Sequence, residues 1–150
     1  MCSSDLFRDP KTGVRCQEVC RKSVARFRDA IRERTPRLKT QRPVKPGHVT
    51  LARLAKNQRV RALIKHLNGF LRGWHWYFKR ARGRYKETFE SFDLFVRRRL
   101  RASITGRSTS RGWWNRVITN SVLRRLGLQL PGDLQARYTQ GRLAAPARKG

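Results

Sequence analysis

A chain of 150 residues with 37 Lys and Arg against nine Asp and Glu carries a formal charge of +28 at pH 7, which repels itself and calls for a polyanionic partner, nucleic acid ahead of an anionic membrane surface. Its 38% hydrophobic content supports one small core rather than several domains. No run of about 18 apolar residues is present and residues 1–20 lack the apolar stretch of a secretory signal, so the expectation is a soluble, cytoplasmic protein with no membrane partner.

Residues 1–22 read as an irregular basic leader. Met1 to Cys20 has no apolar period and contains Asp9-Pro10 and Thr12-Gly13 as turn signals. Cys2, Cys16 and Cys20 are an odd number gathered at one end, which argues for reduced thiols rather than a disulfide framework. Their spacing, even with His48 added, matches no zinc pattern, so no metal site is expected.

Ser23 is placed to cap a first helix, in which Val24, Phe27 and Ile31 form an apolar line and Thr35-Pro36 makes the stop. Its outer face holds Arg26, Arg28, Arg32 and Arg34, partly balanced by Asp29 and Glu33. Between Pro36 and Gly47 lies a basic loop with Pro43, Pro46, Arg37, Lys39, Arg42 and Lys45, suited either to tracking phosphates or to serving as a solvated connector.

The central element is the run from Val60 to Phe78. Val60, Leu63, Ile64, Leu67, Phe70, Leu71, Trp74, Tyr77 and Phe78 recur at the spacing of one helix face, while Arg61, Lys65, Asn68, Arg72, His75 and Lys79 take the other. The helix starts either at Thr50, since Leu51 and Leu54 extend its apolar line, or at Asn57, a good cap. Gly69 and Gly73 each cost about 1 kcal/mol relative to alanine in a helix interior, which implies close approach of another backbone, a packed helix or a nucleic-acid strand. Lys79, Arg80, Arg82, Arg84 and Lys86 then form a dense positive connector. Trp76 and His75 do not fit the buried face; Trp76 either stacks on a base or sugar or packs under the connector.

A third helix over Thr88 to Ser103 has Phe89, Phe92, Val96 and Leu100 as its stripe, flanked by Phe95 and Ile104. It ends in Arg97, Arg98, Arg99 and Arg101, several of which must project outward. Trp113, Trp114, Val117, Ile118, Val122 and Leu126 describe a fourth helix closed by a left-handed Gly127. From Pro131 periodicity fades, and residues 131–150 read as a flexible basic tail. The fold expected is all-α, a small three- to four-helix bundle over residues 23–130.

Catalysis has no visible constellation. The acids are scattered, no Asp-x-Asp is present to hold two metal ions, and no Gly-rich phosphate loop precedes a helix. His48, His66 and His75 are not interleaved with a nucleophile. A non-enzymatic chain without cofactors or metal is the expectation.

Leu67-Asn68, Leu71-Arg72-Gly73-Trp74 and Tyr77-Phe78, followed by Phe92-Asp93, Val96 and Arg98-Arg99-Leu100-Arg101, resemble the maturase-specific domain of bacterial group II intron reverse transcriptases. That family's signature reads LN-x-x-LRGW-x-x-YF and then a helix ending in RRRLR. The upstream KSVARFRDAIRERT is similar to the family's basic first helix, and the likeness runs from roughly Ser23 to Leu130. It implies a helical thumb or X domain that binds group II intron RNA, supports its folding and splicing, and clamps a template-primer RNA/DNA duplex in a full-length protein. The palm motif of the Tyr-Ala-Asp-Asp type and the His-Asn-His endonuclease domain are missing from this sequence. The expectation is therefore a truncated or separately encoded piece of an RNA-directed DNA polymerase, working with a palm supplied by another chain or an upstream frame. Trp74, Tyr77 and Phe78 are assigned to the core. The RNA-binding candidates are Lys65, Asn68, Arg72, His75, Trp76, Lys79, Arg80, Arg82, Arg84, Arg97, Arg98, Arg99 and Arg101, with Asn68 equally suited to a structural hydrogen bond. The alternatives are a nonspecific basic nucleic-acid binder and a nonfunctional polymerase fragment.

Overall fold

A computed structural model describes residues 6–8, 15–17, 19–36, 49–79, 85–106 and 113–144. The leader is not irregular throughout: β1 (Leu6–Arg8) and β2 (Arg15–Gln17) pair antiparallel, with Phe7 opposite Cys16. Strands this short carry no readable period.

Helix α1 (Arg21–Arg34) is capped one turn earlier than expected. Cys20 takes the cap, its Sγ accepting from Ser23 N at 3.4 Å, and Ser23 lies buried in the first turn. At the other end Thr35 Oγ1 donates to Ile31 O at 2.6 Å, closing the last turn before Pro36. Both candidate starts of the central helix are used, because Asn57 divides it. Thr50 caps α2 (Leu51–Lys56), and Asn57 Oδ1 caps α3 (Gln58–Phe78) by accepting from Arg59 N and Val60 N at 3.0 and 3.2 Å.

Helix α4 (Tyr85–Thr105) buries Phe89, Phe92, Val96 and Leu100 and packs on α1, with Phe89 and Phe92 meeting Trp74 of α3. Phe27 and Phe92 meet with ring centroids 4.1 Å apart, and Trp74 packs on Phe27, Phe78 and Phe92 at 4.9, 4.4 and 4.7 Å. Aromatic pairs at this range add about 0.5 to 1.5 kcal/mol each beyond their buried area. The signature tryptophan thus belongs to the junction of three helices.

The expected fourth helix is two short ones, α5 (Trp113–Val117) and α6 (Asn120–Arg125), because Thr119 starts a new helix by accepting from Val122 N through Oγ1. Gly127 closes α6 in the left-handed region at φ 90°, with Leu128 N bonded to Leu123 O at 3.1 Å and both leucines buried.

The segment after Pro131 is not a flexible tail over most of its length, since α7 (Pro131–Ala144) packs on α3 and α4. Proline suits a first helical position. Asp93 on α4 reaches across to accept from Gly132 N at 3.0 Å, and Arg124 grips Asp133 with two bonds of 2.9 and 3.1 Å. Polar ties and the buried Leu128-to-Leu130 approach, rather than an apolar stripe, hold this helix. Seven helices and one small ribbon make up the described residues, an all-α fold with a finer division than the three or four helices expected.

Candidate nucleic-acid interface

The α3 helix presents a cationic face because its apolar stripe fixes its rotation. With Val60, Ile64, Leu67 and Leu71 turned inward, Arg61, Lys65 and Arg72 project outward along one side of the helix and are exposed. The turn after α6 forms the opposite wall. Asn68 sets that wall in place: its Nδ2 donates to Gly127 O at 2.7 Å and its Oδ1 accepts from Gln129 N at 2.9 Å. Between them runs an open groove of about 730 Å³ lined by Gln58, Arg61, Ala62, Ile64, Lys65, Asn68, Arg72, Leu126 and Gly127. Among the described residues no carboxylate lines this groove beside the three cations.

Gly69 and Gly73 lie on the exposed side of α3, and a Cβ at either would meet nothing within 4 Å. No described element packs on them. Beyond Gly73, Trp76 is 72% exposed, and Lys79 Nζ sits 2.9 Å from its ring centroid and 5.3 Å from that of Tyr138.

Three of the expected contact residues are part of the frame instead. His75 is buried, with Nε2 facing Gln135 Oε1 at 2.9 Å, while Gln135 Nε2 donates to Lys79 O at 3.3 Å. Burial lowers the imidazole pKa, with Lys79 adding to the effect and the Gln135 bond opposing it. Arg101 is 4% exposed and donates to Ile118 O at 2.7 Å and Asn120 Oδ1 at 2.8 Å, stitching α4 to α5 and α6. Arg99 donates to Thr35 O at 2.8 Å and Thr35 Oγ1 at 3.2 Å, where its charge complements the C-terminal dipole of α1. A side chain whose donors are committed inside the fold has little left for a phosphate.

Arg97 and Arg98 remain at the surface and line a second groove of about 480 Å³ with Leu94, Asn115, Thr119, Asn120 and Ser121; Arg101 lies in its wall. Lys65, Arg72, Trp76 and Lys79 share one side of α3, but Arg97 and Arg98 belong to the α4 groove. Arg80, Arg82 and Arg84 fall outside the described residues. Arg61 was not among the expected contacts although it stands four residues before Lys65 and eleven before Arg72, a helical repeat readable in the sequence. Leu126 and Gly127 could not be found that way, because they reach α3 through tertiary contacts, the Asn68 bonds among them.

Among the described residues no three His, Cys, Asp or Glu side chains gather to hold a metal ion, and no helix is long and apolar enough to cross a membrane.

The fold and groove define a basic all-α domain with an open cationic face. Residues 48–120 match the family model described as group II intron, maturase-specific domain. This stretch, which includes α2 through α5, is a group II intron maturase-specific domain, with α1 and α7 packed outside the matched residues. The matched domain is the maturase-specific one and not a catalytic palm. No curated protein matches the chain.

Proposed function

We propose that the chain binds group II intron RNA through the α3 groove and assists folding of the intron into its splicing-active form. The observation that carries this reading is the coincidence of the maturase-specific match with Arg61, Lys65 and Arg72 lining one groove that has no acid among its described lining residues. Phosphates are the natural ligands of such a row, and phosphate contacts position rather than specify. Selectivity then comes from the shape of a structured RNA and its 2′-hydroxyls meeting the fixed α3 and Gly127 walls. The intron RNA supplies the splicing chemistry and the protein contributes binding, in the bacterial cytoplasm where the transcript is made. In a full-length protein, or beside a palm from a separate chain or upstream frame, the same surface would clamp a template-primer duplex.

The charge of +28 also favours a second reading, nonspecific binding of any polyanion. Competition between group II intron RNA and an equal mass of unrelated structured RNA across a salt series separates the two. Binding that is purely electrostatic collapses steeply as salt rises. Intron RNA winning at moderate salt supports the maturase reading and warrants a splicing assay with the chain added. Equal competition, with both RNAs lost together, leaves charge alone.

A further inference from the structure

We infer that Trp76 is a stacking platform for an unpaired nucleobase, a bulged or loop nucleotide of the RNA whose backbone lies along α3. This rests on the RNA-binding reading and adds a second kind of contact to it. A tryptophan with 72% of its surface exposed stands out in a domain that buries Trp74 and Trp114 in or beside its core. The exposed large apolar side chains among the described residues are this one and Leu94.

Its surroundings select the occupant. Lys79 Nζ lies 2.9 Å from the centroid of the indole, so one face of the ring carries a cation. A tryptophan on a helix leans back over the residues three and four positions before it, here Gly73 and Arg72. A Cβ at Gly73 or Gly69 would meet nothing within 4 Å, so the approach to the indole from the groove runs over bare helix backbone. Arg72 is both a wall of the cationic groove and the neighbour of this opening. The ligand that fits is flat, presents a π face and is attached to an anionic backbone. An unpaired nucleotide meets all three conditions: its base stacks on the open indole face while its phosphates reach Arg72 and Lys65. A base inside a continuous duplex offers no free face, so the contact discriminates unpaired from paired RNA and is tolerant of base identity.

The test uses the full chain and two RNA hairpins, one with a single bulged 2-aminopurine and one fully paired, titrated at several salt concentrations. Stacking predicts quenching of the 2-aminopurine emission on binding and a preference for the bulged hairpin of about 5- to 150-fold, persisting as salt weakens the phosphate contacts. Trp76→Ala abolishes the preference and the quenching, and Trp76→Phe retains most of both, because phenylalanine keeps a stacking face. Equal affinity of the unaltered chain for the two hairpins overturns the inference while leaving groove binding in place, as does a preference that survives Trp76→Ala. Failure to bind either hairpin or group II intron RNA overturns the RNA-binding reading itself, and this inference with it.

Discussion

Asn68 holds Gly127 beside α3 with both halves of its carboxamide, one bonded to the Gly127 carbonyl at 2.7 Å and the other to Gln129 N at 2.9 Å. The groove wall therefore depends on a residue that need not touch RNA. Asn68→Ala leaves the Gly127 carbonyl and the Gln129 amide without these partners, and should destabilise the fold by about 1 to 3 kcal/mol. A matching shift of the urea midpoint is expected, together with weaker RNA binding in excess of the folded fraction lost. An unchanged midpoint would show that the turn is held by other means. Asn68→Asp keeps the acceptor for Gln129 N, removes the donor to Gly127 and adds an anion to the groove, so RNA affinity should fall further than in the alanine variant.

The groove cations should register in the salt dependence rather than in stability. Each phosphate contact contributes about 0.7 to 0.9 to the slope of log affinity against log salt. Replacing Arg61, Lys65 and Arg72 together by alanine should flatten that slope by about 2 to 3, with thermal stability little changed because all three are exposed. Filter binding or fluorescence anisotropy across a salt series measures this directly. An unaltered slope would move the RNA to another face, the α4 groove with Arg97 and Arg98 being the next to test.

Within the run from Arg97 to Arg101 the arginines should divide by role. Arg101→Met removes the donors that satisfy Ile118 O and Asn120 Oδ1 at a position 4% exposed. A loss of about 2 to 4 kcal/mol in unfolding free energy is expected from the stranded acceptors and the altered packing. Arg98→Ala, at an exposed position, should stay within about 0.5 kcal/mol and act on RNA affinity if the α4 groove is used. Paired urea melts and binding isotherms check the division, and similar stabilities for the two variants would contradict it.

The helical face of Val60 to Phe78 was legible because burial is recorded directly in the spacing of apolar residues. The same rule misplaced His75, which continues the buried positions Val60, Ile64, Leu67 and Leu71 at helical spacing but is polar, so that a hydrophobicity pattern assigns it to the surface. Its partner Gln135 lies on α7, and nothing local announces that bond. Arg99 and Arg101 were unreadable for a related reason: a run of arginines looks uniformly exposed until the carbonyls of Thr35 and Ile118 are brought to two of them. Helix α7 is not legible because its own sequence has little amphipathic period, while its polar contacts come from Asp93, His75 and Lys79, far away in the chain, and from Arg124 on the preceding helix. Of the groove, one wall could be read from Arg61, Lys65 and Arg72, while the other is brought to α3 by tertiary contacts that include the two Asn68 bonds.

Asp93 makes stability depend on pH in an unusual direction. Burial raises its pKa from 3.8 to about 6, opposed by the Gly132 amide and by Arg97. Between pH 3.8 and about 6 the folded chain therefore holds a proton on this carboxyl that the unfolded chain has released, so the contribution of Asp93 to stability falls as pH rises through that window. The full effect, developed by pH 7, is about 3 kcal/mol for a shift from 3.8 to about 6. Asp93→Asn keeps an acceptor for Gly132 N and cannot ionise. Its stability relative to the unaltered chain should rise between pH 4 and 7 and level off above, as read from urea unfolding of both proteins at each pH. Comparing the two proteins removes the contributions of His75 and of the other carboxylates, which are common to both. A difference that stays constant with pH would mean that Asp93 is ionised in the fold as readily as in the unfolded chain. Gly132→Ala supplies an independent check on the same contact: its Cβ would run into Asp93 Oδ2, so this substitution should destabilise the chain at every pH while Gly141→Ala, where a Cβ meets nothing within 4 Å, should not.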